Sequence, residues 1–437
     1  MAASRGKLPL SSGSPAREVQ GVTGEPWLPV IGAGIGDTFP RDFFAIHSSV
    51  RRRLLIEGWR SIHHSYALVA QAHCLCMLRK NDIDLRFLDV PYANKTWRRA
   101  SGLFSPDEEA AIASIAAPEP AFVPEATLTI HAGGAKLGIP ASGRKFVFGT
   151  PGYRVLRQEA PGGFRRGSEI PEVIHFVTPS RWTAVAYERF GVPLDRIHVV
   201  PLGIDPEVFR PDKSERLAMR SKLGVGDHFV FLSAGSMTMV KGIDLLLAAF
   251  ARVIPLHPDV RLVLKGADSL FDSGNIVRGL LDALPTAARE AVASRLLYIG
   301  ETLSAQRMAE LYNSADSYVS PYRAEGFNLP VLEAGACGVP VICTAGGPTD
   351  EFIDPLSSRR IRSRIEAVRM DQTQMGEALV PDLDDLVDSM QDAIRHRDQV
   401  PEMGMRAANH ARRNFTWELA TDRLRRQLFP DEISAAK

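Results

Sequence analysis

Short apolar runs with strand character alternate with amphipathic helical stretches along most of this chain, and that order is played twice. In the first half, residues 53–57 read as a short buried strand, 65–78 as an amphipathic helix and 83–88 as an alternating strand. Further strands are predicted at 126–131, 145–149, 172–178 and 196–200, with a helix over 180–190. The rhythm restarts after Asp212-Lys213, with strands at 228–234, 260–265, 296–299, 317–320 and 340–344. Helices are predicted between them at 242–254, 287–295, 305–314 and 330–337. Strands joined through helices form parallel sheets with both faces covered, because the crossover is right-handed and packs back onto the sheet. The expected fold class is therefore α/β, with two doubly wound (Rossmann-like) domains facing a cleft.

The segment around Pro206 and Pro211, which has no strong period, is the expected hinge between domains at 46–208 and 209–414. Residues 1–45 are expected to be a flexible leader, rich at first in Ser, Gly, Pro and Ala. Within it, Gly32-Ala33-Gly34-Ile35-Gly36 is similar to a dinucleotide fingerprint but fails its context. No strand precedes it, the third glycine comes one place early, and Pro40 blocks a following helix. It reads as a loop.

Composition narrows the function classes. A hydrophobic fraction of 45% lets a chain of this length bury two large cores. Lys plus Arg number 52 and Asp plus Glu 51, a net charge of +1 that argues against a nucleic-acid partner held by bulk charge. No apolar run approaches the ~20 residues of a membrane-spanning helix, and the chain does not open on a signal-peptide pattern. Cys74, Cys76, Cys337 and Cys343 are too few for a disulfide scaffold and fit a reducing compartment. Cys74 and Cys76 also lack partner ligands, so no metal site is expected. These features lead us to expect a cytoplasmic protein.

Two segments carry chemistry. In Tyr322-Arg323-Ala324-Glu325-Gly326-Phe327-Asn328-Leu329-Pro330-Val331-Leu332-Glu333, a strand ends in a polar, glycine-bearing loop, and Pro330 sits where a first helical turn accepts it. Such a helix start offers N–H groups and partial positive charge to an anion such as phosphate. Glu325 and Glu333 flank that place; they either grip sugar hydroxyls on both sides of a diphosphate, or serve as a solvated loop residue and a dipole partner. In the second segment, Ser233-Ala234-Gly235-Ser236 leads to Lys241 at the mouth of a helix, where a compact cation can reach a leaving diphosphate or simply face solvent.

Together these segments resemble the donor half of the group 1 (retaining, GT-B fold) nucleotide-sugar glycosyltransferases. Glu325 to Glu333 matches the family's E-x7-E motif, and Lys241-Gly242 followed by Asp244-Leu245-Leu246 matches a second. Thr178-Pro179-Ser180, Val199 to Asp205, Gly346-Gly347-Pro348 and Phe415-Thr416-Trp417-Glu418 are similar to further family segments. The likeness covers roughly 174–428 well and the residues before that only loosely. It implies an acceptor-side first domain, a nucleotide-sugar-binding second domain, and a C-terminal helix within 415–430 that crosses back to complete the first. It also implies that Glu333 binds the ribose, Glu325 the transferred sugar and Lys241 the diphosphate. Backbone amides of Gly326, Phe327, Asn328 and Leu329 would lie near the phosphates, with Tyr298 bordering the base. The implied donor is a nucleoside-diphosphate-sugar, a substrate rather than a cofactor. The implied acceptor is a glycan, lipid-linked or protein hydroxyl.

One departure stands out. The family commonly places an arginine right after Gly235, where this chain has Ser236, so a second cation facing the phosphates must come from elsewhere; Arg323 and Arg60 are the substitutes to consider. In the first domain, Gly58-Trp59-Arg60-Ser61 occupies the loop where the family brings backbone to the phosphates. His131, after a strand-like run, either hydrogen-bonds a sugar hydroxyl as part of a catalytic set with Lys241 and Glu325, or is structural. His63 and His64 face either the acceptor or solvent. Arg51-Arg52-Arg53 and Lys95, Arg98 and Arg99 make this half mildly basic, which suits either peripheral contact with an anionic membrane or plain solvation. Two other functions fit the same resemblance: a nucleotide-sugar epimerase, and a silent sugar-nucleotide-binding subunit.

Overall fold

Two six-stranded parallel sheets organise the chain in the computed structural model, which describes residues 51–131, 138–156, 164–370 and 374–430. The expected leader at 1–45 and the Gly32–Gly36 loop lie outside the described residues. The first sheet is built from β1 (Arg52–Gly58), β2 (Ile83–Asp89), β3 (Ala126–Ile130), β4 (Arg144–Phe148), β5 (Ile174–Thr178) and β6 (Ile197–Val199), in the order β2-β1-β3-β4-β5-β6. The helices α1 (Ser65–Lys80), α2 (Pro106–Ala113) and α3 (Arg181–Phe190) belong to this half.

After α4 (Lys213–Leu223) the second sheet runs β7 (Phe229–Ala234), β8 (Val260–Lys265), β9 (Leu296–Ile299), β10 (Ser317–Ser320), β11 (Val341–Thr344) and β12 (Ser358–Ile361), in the order β12-β11-β10-β7-β8-β9. Its helices are α5 (Ile243–Val253), α6 (Ser273–Asp282), α7 (Thr286–Ala293), α8 (Ala305–Asn313) and α9 (Leu329–Ala336). An antiparallel hairpin of β13 (Ser363–Arg369) and β14 (Met375–Pro381) follows, then α10 (Leu383–Arg395), α11 (Val400–Asn414) and α12 (Trp417–Leu428). The expected α/β class with two doubly wound sheets is the fold observed.

Local chemistry fixes the element ends. Ser180 caps α3 through Thr183 N–H and Gly191 closes it in the left-handed region; Asp212 caps α4 through Ser214 and Glu215 N–H. A Ser105–Glu108 capping box opens α2 with Pro106 in its first turn. The central strands read as unbroken apolar runs because helices cover both faces. In β7, Phe229, Val230, Phe231 and Leu232 are all buried, each worth about 1.5–3 kcal/mol relative to exposure. Two of the elements that escaped sequence reading lack that signal: β13 is largely exposed, and α4 buries only Met219 and Arg220.

The last helix lies on the first half of the molecule. His73 Nδ1 of α1 meets Thr421 Oγ1 of α12 at 2.8 Å, inside the core, and Arg79 pairs with Glu418 at 2.8 Å. Among the described residues no helix is long and apolar enough to cross a membrane.

Both sheets reverse strand order once, between β1 and β3 in the first and between β7 and β10 in the second. In open α/β sheets, ligands bind beyond the carboxyl ends of the strands at such switch points, because the connections there diverge to opposite faces and leave a crevice. Gly58 and His131 stand at the first, Gly235 and the Tyr322–Glu325 loop at the second.

Candidate functional site

From β7 the chain passes through Gly235 and Ser236 into a single 3-10 turn, Met239–Lys241, before α5 begins. Gly242 closes that turn at φ +73°, and a Cβ there would lie 1.9 Å from the Pro321 carbonyl oxygen. Only glycine lets the turn rest on the loop leaving β10. The stem of Lys241 runs over Gly235, with its Cε 3.4 Å from where a Cβ would stand. Its ammonium meets the Glu325 carboxylate in a direct ion pair. The side chains are 24% and 12% exposed, so the pair sits in reduced dielectric and is coupled more strongly than a surface pair.

Loops from the first sheet close on this turn. A Cβ at Gly326 would fall 2.4 Å from Thr150 Cβ, so the loop after β4 can approach only because position 326 carries no side chain. Ser180 Oγ, at the cap of α3, donates to the Gly326 carbonyl at 2.7 Å. Tyr66 of α1 holds Thr150 through a 3.0 Å hydroxyl contact. Thr150, Ser180 and Tyr66 were not among the expected site residues. Thr150 carried only the weak signal of a Thr-Pro-Gly turn after a strand.

Glu333 projects from the second turn of α9 and accepts a 2.7 Å hydrogen bond from Tyr312 Oη. Burial pushes its carboxyl up to about 7, against the pull of that hydrogen bond. Glu333 lines a cavity of about 630 Å³ whose other walls include Leu303 and Met308 from the second half and Leu103 and Phe104 from the first. Lys241 and Glu325 do not line this cavity. The structure brings Lys241 and Glu325 together, and Tyr318 lies within reach of both the Glu325 and the Glu333 carboxylates.

Several expected site residues are engaged by partners within the protein. Arg323 is not a spare cation: its two terminal nitrogens reach Asp244 at 2.7 Å each, and it also binds the Met239 carbonyl. Arg60 is likewise engaged, with Asp89 at 3.0 Å and the Ile112 and Ile115 carbonyls, while its guanidinium stacks on Phe87. The carbonyl of Ser236 accepts from Ser273 Oγ at 3.2 Å. Trp59 is 1% exposed and its indole donates to the Pro91 carbonyl, so the side chain packs in the core. Phe327 stacks on Phe352 at 4.4 Å, Leu329 is buried, and Asn328, with φ +78°, donates to Ser320 Oγ. These three side chains turn inward, which leaves the 326–329 turn to act through its backbone.

Tyr298 stands at the end of β9 with its hydroxyl donating to Asp268 Oδ1 at 2.5 Å. His131 follows β3, its ring 6.1 Å from that of Trp59. His64 caps α1 by accepting from Tyr66 N–H, and burial lowers it to about 4, so it is neutral at pH 7. His63 meets the Ser101 carbonyl at 3.1 Å. Arg52 pairs with Glu125 at 2.7 Å.

Residues 228–396, which contain Lys241, Glu325 and Glu333, match the family model described as Glycosyl transferases group 1. The D-inositol 3-phosphate glycosyltransferase of Xylanimonas cellulosilytica is 36% identical over 171 residues, covering 36% of this chain and 37% of that protein. The GDP-mannose-dependent monoacylated alpha-(1-6)-phosphatidylinositol monomannoside mannosyltransferase of Corynebacterium glutamicum is 27% identical over 316 residues, covering 69% of this chain and 74% of that protein. The chain spans half or less of the length of the first curated relatives it matches. The structure of Anabaena Alr3699/HepE in complex with UDP-glucose superposes with a TM-score of 0.63 at 15% identity, covering 88% of this chain and 100% of that one. That likeness is one of fold.

Proposed function

We propose that this chain, which carries a group 1 glycosyltransferase domain in a GT-B fold, moves a hexose-type sugar from a nucleoside-diphosphate-sugar to an acceptor hydroxyl with retention of anomeric configuration. The ion pair of Lys241 with Glu325 at the switch point of the second sheet carries the reading. It sets a cation and a carboxylate beside a helix start that no side chain caps. A sugar diphosphate offers both partners in one molecule: phosphate for the ammonium, sugar hydroxyls for the carboxylate. Donor binding would therefore open the pair and satisfy each member separately.

In this reading the nucleoside end enters the cavity beside Glu333, whose free carboxyl oxygen takes the ribose, while Tyr298 borders the base. As the glycosidic bond breaks, negative charge grows on the diphosphate. Lys241 and the backbone amides of the 326–329 turn stabilise it, and their preorganised direction makes them stronger there than in water. The acceptor hydroxyl approaches from the face the phosphate leaves, with a phosphate oxygen taking its proton and His131 hydrogen-bonding the sugar. No cofactor is called for. We place this work in the cytoplasm, including the inner membrane face. The names of the relatives make inositol phosphate and phosphatidylinositol mannosides the first acceptors to try.

The test is transfer from UDP-, GDP-, ADP- and TDP-sugars to those acceptors, with the product anomer read by proton NMR. Lys241→Ala and Glu325→Ala should each lower turnover at least a hundredfold. Near-wild-type rates in both would reject the assignment, and an inverted product would reject retention.

A further inference from the structure

The hairpin that follows the second sheet reaches across to the first half through one carboxylate. Glu377, on β14, accepts from Arg154 at 2.8 Å and from Arg189 of α3 at 3.0 Å. Its own backbone N–H donates to the Tyr153 carbonyl at 2.9 Å. Three separate contacts thus tie one residue of the second half to the loop after β4 and the helix beside it.

The same loop touches the reacting end of the site. A Cβ at Gly152 would lie 3.0 Å from the backbone nitrogen and carbonyl carbon of Glu325. Trp182 Nε1 donates to the Gly152 carbonyl at 2.8 Å, and the Arg154 guanidinium stacks on the Trp182 ring at 4.6 Å. Arg154 holds a left-handed backbone, φ +56°, a conformation that non-glycine residues keep only where neighbours over-determine it. The line of contact runs from Glu377 through Arg154 and Tyr153 to Gly152, and from there to the Glu325 backbone.

We propose that Glu377 is a positioning residue that clamps the 150–154 loop onto the Glu325 turn and holds the two halves in the closed arrangement needed for transfer. The proposal rests on the reading of Glu325 and Lys241 as the sugar end of the donor site. Glu377 touches no substrate in this scheme; it acts through Arg154 and Arg189. A half-buried carboxylate bridging two arginines suits a clamp that must also release product, because such a pair is strong enough to bias closure and weak enough to open.

Closure can be measured apart from chemistry. Spin labels at Leu194→Cys in the first half and Leu256→Cys in the second occupy positions that are 71% and 66% exposed, and the native cysteines are all buried. Wild type should give one narrow distance distribution; Glu377→Ala should give a longer, broader one, with Glu377→Gln between them. In the transfer assay, Glu377→Ala should lower kcat about tenfold while the affinity for donor nucleotide, read by calorimetry, stays within about twofold. Raising salt to 0.5 M should slow wild type toward the variant and leave Glu377→Ala nearly unmoved, since screening acts on the pair the variant lacks. Unchanged distances, or a wild-type kcat in Glu377→Ala, overturn the proposal. Failure of the donor reading would look different: wild type would turn over no nucleotide sugar, and the distance measurement would still decide the role of Glu377.

Discussion

Lys241 and Glu325, residues from two different loops of the second sheet, neutralise each other directly across the switch point between β7 and β10. The carboxylate fixes the position of the ammonium. The pairing also keeps both charges satisfied until a ligand offers each a better partner. Removing one member therefore has two separable effects, loss of chemistry and exposure of an unmatched charge in a poorly solvated site.

Lys241→Ala should lower stability by about 1–3 kcal/mol, because Glu325 remains part-buried and unpaired. The double variant Lys241→Met with Glu325→Gln should regain most of that stability while staying inactive. Urea denaturation of Lys241→Met, Glu325→Gln and the double variant checks this; additive losses would mean that the pair is not coupled.

Gly326→Ala should push the loop after β4 away from the Glu325 turn, since the new methyl would overlap Thr150. A fall in kcat of about tenfold is expected with modest loss of stability. Adding Thr150→Gly removes the obstructing atom and should return part of the rate. A Gly326→Ala enzyme with unchanged kinetics would show that the approach of these loops is not needed.

Glu333 makes stability depend on pH in a direction opposite to most carboxylates. Its folded carboxyl titrates near about 7, above the ordinary 4.5, so the folded state holds the proton longer than the unfolded chain does. Its contribution is full below about 4.5 and is lost as pH rises toward and through 7. Glu333→Gln should match wild type near pH 4.5 and exceed it at pH 8 by a few degrees in Tm. Calorimetric scans across that range provide the check; a difference that does not change with pH would contradict the burial argument.

Phe104 reaches the Glu333 cavity from the first half, so it should contribute to nucleotide affinity although it lies outside the half that carries Lys241 and Glu325. Phe104→Ala should weaken nucleoside diphosphate binding about tenfold, near 1.4 kcal/mol, by uncovering apolar surface. Titration calorimetry decides it; equal affinity would place the nucleoside elsewhere.

The parallel sheets were legible because strands covered on both faces carry unbroken apolar runs, as Phe229–Leu232 and Leu262–Leu264 do. The hairpin was not, since β13 exposes most of its residues and shows no alternation. At the site, the residues alone left Glu325, Glu333 and Lys241 open between a binding and a structural role, and the resemblance to the family's motifs singled them out. The destinations of Arg323 and Arg60 were hidden, because the carboxylates that take them, Asp244 and Asp89, lie 79 and 29 positions away in sequence. A glycine-bearing turn also says that backbone is accessible without saying where its neighbours point. Phe327 and Leu329 flank such a turn and are nonetheless core residues. Thr150 and Gly152 matter through approach to a loop about 175 residues further on, which no local pattern encodes.

The most direct measurement is equilibrium binding of nucleoside-diphosphate-sugars, compared with the parent nucleosides, to wild type and to Lys241→Ala. Wild type should saturate with at least one of the UDP-, GDP-, ADP- or TDP-sugars, and Lys241→Ala should bind the same compound about 10–100-fold more weakly while its weak affinity for the free nucleoside stays unchanged. Equal affinity of both proteins for the sugar nucleotide, or binding of none of the four, would contradict a donor site built on the Lys241–Glu325 pair.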